Sequence, residues 1–145
     1  MKRIKMLMAA VAILACGMQA AAQDCASQVD KLCEAFNTVG ARLKLAKTLN
    51  QMDALNFDAA IEEAEVDQIP DECLGYVLTA ADKTKLSETM DKFLGITLDK
   101  TYELTGGKIT KTQITRELDY IKKGWANGLE KSKTLGEFVE SFDEM

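Results

Sequence analysis

The sequence predicts an all-α protein: a small antiparallel helical bundle of about three long and two or three short helices. Three observations support this prediction. Apolar residues recur at three- and four-residue steps through most of the chain. Residues typical of helix N-caps precede these stripes. Strand signals are nearly absent, since the segment Lys108-Ile109-Thr110 is too short to count.

The first 22 residues have the pattern of a bacterial export signal. Basic residues stand at positions 2, 3 and 5, and a short apolar run follows from Met6 to Met18. The next residues, Gln19-Ala20-Ala21-Ala22, include the small side chains that a signal peptidase reads. The apolar run is too short to span a bilayer comfortably. We therefore expect cleavage after Ala22, which leaves residues 23–145 as a single all-helical domain in the periplasm or outside the cell.

The domain is predicted to open with a long helix. Ser27 is a candidate cap, with Asp30 three residues later, and Asn50 marks the expected end. The apolar stripe between them comprises Val29, Leu32, Cys33, Phe36, Val39, Leu43 and Ala46, and it reaches towards Leu49. A shorter helical segment is expected from about Asp53 to Glu65, with Leu55, Ala59, Ile61 and Ala64 facing inward.

Pro70 is placed to open a further helix, because Asp71 and Glu72 follow it where the helix dipole favours acidic residues. Leu74, Val77 and Leu78 continue an apolar stripe. Thr79 with Asp82 predicts the cap of the next long helix. The apolar face of that helix runs through Leu86, Met90, Phe93, Leu94, Thr97 and Tyr102.

Gly106-Gly107 is expected to stop this helix. Thr110 and Gln113 form a capping-box pattern for the following one. Its stripe, the most regular in the chain, comprises Ile114, Leu118, Ile121, Trp125 and Leu129. Thr134 and Glu137 repeat the pattern before a last short helix that contains Leu135, Phe138, Val139 and Phe142.

The four cysteines bear on both anchoring and stability. Cys16 lies in Ile13-Leu14-Ala15-Cys16-Gly17, which resembles a bacterial lipobox, although Leu14 is bulky for that motif. Ordinary secretion is favoured, and lipidation of Cys16, giving an outer-envelope lipoprotein, is the alternative. Cys25, Cys33 and Cys73 remain in either case, and an oxidising compartment permits one disulfide among them.

Helix geometry narrows the choice of disulfide. Eight helical residues rise about 12 Å, so Cys25 and Cys33 are too far apart to bond without unwinding. Cys73 is expected to pair with Cys25 or Cys33. We favour Cys25, which leaves Cys33 as a core residue, with a reactive or intermolecularly paired thiol as the alternative.

Composition excludes several function classes. The chain has no histidine, the commonest general base and metal ligand. Without the signal, 15 basic and 23 acidic residues give a net charge of −8, which argues against nucleic acid and anionic lipid as partners. No phosphate loop or dinucleotide fingerprint is present. We expect no catalytic residues, no cofactor and no metal.

Two surface features remain as candidate sites. Glu62, Glu63, Glu65, Asp67, Asp71 and Glu72 could hold calcium, but their spacing matches no EF-hand and a solvated surface is the simpler interpretation. Gly124-x-x-x-Gly128 flanks Trp125, with Tyr120 nearby. These four residues mark a possible partner groove, with close helix packing as the structural alternative.

Three functions follow from this pattern. The first is an exported, non-catalytic helical protein that binds another envelope protein or itself. The second is a carrier of a small apolar ligand or lipid. Its pocket would be lined by Phe36, Phe93, Leu118 and Trp125. The third is a thiol-dependent enzyme using the unpaired cysteine. No transmembrane helix is expected in the processed chain.

Overall fold

The apolar stripes and their caps form helices over most of the chain. The computed structural model describes the backbone of residues 8–144 and the side chains of residues 25–143. Its α-helices are α1 (Met8–Lys44), α2 (Leu49–Asp53), α3 (Phe57–Ala64), α4 (Ala80–Leu104), α5 (Lys111–Lys131) and α6 (Leu135–Ser141). Short 3-10 helices span Val66–Gln68, Asp71–Cys73 and Phe142–Glu144. Residues 8–144 contain no strand, which confirms the all-α class and the three long and three short helices.

The three long helices pack in a defined order, with α4 between α1 and α5. Lys85 of α4 pairs with Asp30 of α1, and Lys100 of α4 reaches the carbonyl oxygen of Lys44. Both pairs have nearly the same offset along the chain, so α1 and α4 run in the same direction. A short turn joins α4 to α5, and α5 returns antiparallel to both. Because α1 and α4 are parallel, the segment between them returns along the bundle to the end at which Cys25 lies.

The first helix differs from its predicted bounds at both ends. It is continuous from Met8, so Ser27 lies inside α1 and does not cap it, and Cys25 is also helical. Alanine-rich sequence ahead of Ser27 is strongly helix-forming, and the helix therefore does not restart there. At the other end α1 stops at Lys44. Asn50, the predicted stop, lies inside α2.

The helix caps in the second half of the chain are confirmed. Thr79 with Asp82, Thr110 with Gln113 and Thr134 with Glu137 each form a complete capping box. Gly106 and Gly107 follow the end of α4 with φ angles of +65° and +76°, which glycine adopts without strain. These local signals fix where α4, α5 and α6 begin and where α4 ends.

Pro70 does not open an α-helix, which corrects the prediction for this segment. It precedes only the single 3-10 turn Asp71–Cys73. Backbone pairing with the start of α6 then holds the chain extended: the N–H of Leu135 donates to the oxygen of Tyr76 at 2.8 Å, and the N–H of Gly136 donates to the oxygen of Leu74 at 2.9 Å. A Cβ on Gly136 would lie 2.8 Å from that Leu74 oxygen, so the close approach requires glycine. Val77, predicted to face inward, is 65% exposed.

The centre of the bundle is an aromatic cluster containing all five phenylalanines and the one tryptophan of the chain. Trp125 lies in its middle, with ring centroids of Phe36, Phe138 and Phe142 at 5.2, 4.8 and 5.5 Å. Phe57 and Phe93 complete the cluster by packing on Phe36. Trp125 Nε1 also donates to the carbonyl oxygen of Leu86 at 3.1 Å. Every α-helix except α2 contributes one ring, and the final 3-10 helix contributes Phe142.

A buried lysine fastens the far end of α1 to α4. Lys100 is 8% exposed, and its Nζ donates to the carbonyl oxygens of Lys44 at 2.7 Å and Ala46 at 3.1 Å. The last carbonyls of a helix have no partner within the helix itself. A cation at a helix C-terminus also complements the negative end of the helix dipole. Lys100 thus adds to the backbone hydrogen bonds that close α1, in which the N–H groups of Leu45 and Ala46 donate to the carbonyl oxygens of Arg42 and Leu43.

We expect Lys100→Met to lower the free energy of unfolding by about 1–3 kcal/mol. The substitution keeps the packing of the side-chain stem and leaves the two carbonyl oxygens without their donor. Chemical denaturation monitored by circular dichroism would measure the loss. Lys92→Met, at an exposed position on the same helix, is the matched control and should change stability by no more than about 0.5 kcal/mol. Equal effects of the two substitutions would contradict the capping role.

Candidate interaction surface

The structure joins Cys25 of α1 to Cys73 of the 3-10 turn by a disulfide bond. Of the two pairings that helix geometry left open, this is the one that we favoured. The two residues are 48 positions apart, and both are nearly inaccessible to solvent. The bond links the segment between α1 and α4 covalently to α1 at Cys25. It therefore holds this connecting segment against the bundle.

Cys33 is the unpaired cysteine among the described side chains and is buried. It lies in the core, two helical turns beyond Cys25 on the same stripe. Burial raises the pKa of the Cys33 thiol, while a hydrogen bond with the side chain of Thr89 and the charge of Lys85 act in the opposite direction. A raised pKa and low exposure both oppose formation of a reactive thiolate. This environment gives the thiol-enzyme hypothesis no support.

Asp82, Tyr76 and Thr79 form a polar cluster near Cys33. The contacts of Asp82 show that it caps α4. Its carboxylate accepts hydrogen bonds from the Tyr76 hydroxyl at 2.7 Å and the Thr79 N–H at 3.0 Å. Burial alone would raise the pKa of Asp82, but these hydrogen bonds and the charge of Lys85 lower it below its ordinary value. Burial and the bond to Asp82 in turn raise the pKa of Tyr76 to about 12. The cluster holds a carboxylate ionised at the start of α4.

The predicted groove of Tyr120, Gly124, Trp125 and Gly128 is not formed. Trp125 is 2% exposed and belongs to the aromatic cluster, and Gly128 is buried with it. Tyr120 is 66% exposed. Five residues on an α-helix correspond to a rotation of about 140°, so Tyr120 and Trp125 occupy nearly opposite faces of α5. Tyr120 cannot flank a site built on Trp125.

The side chains predicted to line a ligand pocket pack directly against one another. The rings of Phe93 and Trp125 each lie 5.2 Å from that of Phe36, in edge-to-face contact. Leu118 packs at the margin of the same core. Aromatic rings at these separations are in direct contact, which leaves no room for a ligand between them. The packing of these four residues gives the carrier hypothesis no support.

Two of the acidic residues between Glu62 and Glu72 form ion pairs with α1. Glu63 pairs with Arg42 at 3.3 Å, and Glu65 with Lys31 at 3.0 Å, both on α1. No group of three or more potential metal-ligating side chains occurs among the described residues. Glu63 and Glu65 of the acidic cluster are thus engaged in exposed ion pairs, which contribute little to stability.

Cys16 and the expected cleavage position after Ala22 lie in the part of α1 whose side chains are outside the described residues. Among the described helices, none combines the length and the apolar character that crossing a membrane requires.

The exposed apolar residues, in contrast, gather at one end of the bundle. Leu45, Leu49, Tyr102 and Ile109 are 75, 44, 40 and 41% exposed, and we call this surface the apolar end. The Lys100 hydrogen bonds to the oxygens of Lys44 and Ala46 bring Leu45 beside the end of α4. Lys111 lies 5.3 Å from the ring centroid of Tyr102, which places the start of α5 there too. Four large apolar side chains from three separate segments thus share one end.

Leu49 and Tyr102 extend the apolar stripes of the sequence and were predicted to face inward, but 44% and 40% of their surfaces are exposed. The surface that they share with Leu45 and Ile109 was not predicted. One signal could have revealed the break in the α1 stripe. Thr48 with Gln51 is a capping-box pattern, and the Thr48 hydroxyl accepts from the Gln51 N–H at 3.1 Å to begin α2. A new helix starting at Leu49 ends the α1 stripe earlier and turns Leu45 outward.

No known protein family matches the chain, and no curated protein or solved structure shows significant similarity to it.

Proposed function

We propose that this chain is an exported, non-catalytic interaction module of the bacterial envelope, periplasmic or secreted, that binds a protein through its apolar end. The observation that carries the proposal is the grouping of Leu45, Leu49, Tyr102 and Ile109 at one end of the bundle. Exposed apolar residues scattered singly are ordinary, whereas several that share one end of a bundle favour an interaction site there. Val77 and Tyr120, the other large apolar side chains exposed among the described residues, lie outside this group.

Two further features support the proposal. The Cys25–Cys73 bond suits an oxidising compartment, in agreement with the export signal. Three side chains that could take part in catalysis have structural roles instead: Asp82 caps α4, Lys100 binds the end of α1, and Cys33 is buried in the core. The exposed apolar side chains therefore favour a binding function over a catalytic one.

Site-specific photo-crosslinking in the producing cell tests this function. A photoreactive phenylalanine analogue is placed at Leu45 or Ile109 in separate variants, and adducts are identified by mass spectrometry. Tyr120, which is exposed, aromatic and outside the apolar end, is the matched control position. We expect a discrete protein adduct from positions 45 and 109 and none from position 120. Absence of a protein adduct at both positions, or an equal yield at position 120, would overturn the proposal.

A further inference from the structure

The apolar end is locally basic in a chain that is acidic as a whole. The segments 42–53 and 99–111, which form this end, contain six basic and three acidic residues. Three of the basic side chains are paired with acidic ones, as Arg42–Glu63, Lys100–Glu103 and Lys111–Asp99. The other three are exposed and form no ion pair with the described part of the chain: Lys44, Lys47 and Lys108. Asp53 is the one carboxylate of these segments outside the pairs, so unpaired positive charge prevails here.

The three lysines without ion pairs accompany the exposed apolar side chains. Each adjoins one of them or is two residues away from it: Lys44 and Leu45, Lys47 and Leu49, Lys108 and Ile109. A lysine ammonium group sits on a flexible four-carbon stem, so its charge can be placed beside an apolar contact. A partner that covers the apolar side chains must therefore also meet three positive charges.

The packing of the helices sets the size of this surface. α4 packs against both α1 and α5, and the axes of neighbouring helices are about 8–10 Å apart. The end of α1 and the start of α5 are therefore separated by at most roughly 20 Å. About 13 residues of helix or about six residues of extended chain span that distance. One short segment can thus cover Leu45 on the α1 side and Ile109 on the α5 side.

We infer that the apolar end binds an acidic amphipathic segment of another protein, whose apolar side chains pack on Leu45 and Ile109 and whose carboxylates face the three lysines. This inference rests on the proposed interaction function and specifies the chemistry of the partner. Apolar contacts supply affinity in recurring modes of peptide recognition. Complementary charges around such a contact favour the correct partner and repel basic ones.

An anionic membrane fits the apolar end less well. A bilayer is broad, so it would press its phosphates against the carboxylates of the same end. The side chains of Asp99 and Glu103 are 72 and 65% exposed, and Asp53 is exposed as well. The net charge of −8 outside the signal also opposes approach to anionic lipid. A peptide is narrow enough to follow the lysines and leave these carboxylates in water.

Mapping the crosslinked segment of the partner tests the inference. The photoreactive phenylalanine analogue is placed at Leu45 or Ile109 of the full chain in the producing cell, and the attached peptide is sequenced by mass spectrometry. We expect a segment of net negative charge that carries several apolar residues. A neutral or basic segment, or a segment from a second copy of this chain, would overturn the inference and leave the proposed function standing. A lipid adduct, or no protein adduct, would remove both.

Charge exchange with the mapped segment provides the second readout. A fluorescent synthetic peptide that copies the segment is titrated with the exported protein recovered from cells, and anisotropy gives Kd. The triple substitution Lys44→Glu, Lys47→Glu and Lys108→Glu should raise Kd about tenfold or more, because each exposed charge pair contributes up to a few-fold and is turned into a repulsion. A peptide with lysine in place of its acidic residues should bind this variant and lose binding to the unmodified protein.

Three other exposed lysines supply the matched control. Lys92, Lys131 and Lys133 lie outside the apolar end and form no ion pair with the described part of the chain. Their replacement by glutamate changes the net charge equally and should leave Kd within about twofold, since distant charges are screened. Equal effects of the two triple substitutions would overturn the inference.

Two further measurements complete the test. Matching circular dichroism spectra and melting temperatures would show that both triple variants are folded. If the first variant does not fold, the unmodified protein still decides, because equal binding of the acidic and the lysine-substituted peptide would overturn the inference. Flotation with phosphatidylglycerol vesicles examines the membrane. Flotation of the unmodified protein that the substitutions at Lys44, Lys47 and Lys108 abolish would assign the lysines to lipid and overturn the inference as well.

Discussion

Trp125→Ala is expected to lower the free energy of unfolding by about 3–5 kcal/mol, the range measured when large aromatic side chains are removed from protein cores. Trp125 is 2% exposed and contacts rings from four other segments of the chain. Its removal would leave a cavity at the point where these segments meet. It would also leave the carbonyl oxygen of Leu86 without its indole donor. Denaturant unfolding followed by far-ultraviolet circular dichroism measures the change.

The same helix supplies a matched control for this prediction. Tyr120 is also aromatic and lies on α5, but it is 66% exposed. Tyr120→Ala should change the free energy of unfolding by no more than about 0.5 kcal/mol, as is usual for surface substitutions. A groove containing both residues would give two small and similar effects. Comparable losses from the two substitutions would contradict the aromatic cluster.

Removal of the disulfide is expected to have an effect of similar size. In the chain-entropy model, a bond closing a loop of this length stabilises by about 4 kcal/mol. The double substitution Cys25→Ala and Cys73→Ala, two residues separated by 48 positions, should therefore lower the free energy of unfolding by about that amount. Thermal or denaturant unfolding under non-reducing conditions provides the measurement.

Reduction provides an independent check on the disulfide. A reducing agent should destabilise the unmodified protein to the level of the double variant and leave the double variant unchanged. Cys33→Ala, which removes the unpaired thiol, should retain the full response to reductant. If Cys33→Ala abolished that response, the bond would involve Cys33, and the assignment of the bond to Cys25 and Cys73 would be wrong.

Local signals in the sequence predicted much of the fold. Caps such as Thr110 with Gln113 depend on residues within one helical turn, so they can be identified from the sequence alone. Pro70 shows where this approach fails. Its local pattern favours a helix, but the backbone around Tyr76 is held extended by hydrogen bonds to the start of α6, nearly 60 residues later. Tertiary contacts override local preference there.

The candidate surface was harder to predict than the fold for a related reason. Trp125 beside a glycine pair suggests an accessible aromatic, and nothing in its own helix reveals that rings from Phe36 and Phe142 cover it. Leu45 and Ile109 look unrelated in sequence, and only the parallel course of α1 and α4 brings their segments to one end. Helix direction depends on the path of the connection between α1 and α4, which no stripe or cap encodes.

The position of the last two rings of the aromatic cluster has a consequence for the timing of folding. Phe138 and Phe142 lie within the final eight residues of the chain, yet both pack on Trp125. The centre of the domain is therefore incomplete until α6 and the turn that follows it have packed. Before that step, α1, α3, α4 and α5 surround Trp125 with one side of its ring still uncovered. Completion of the native core thus depends on the docking of α6, a helix that follows all three long helices in the chain.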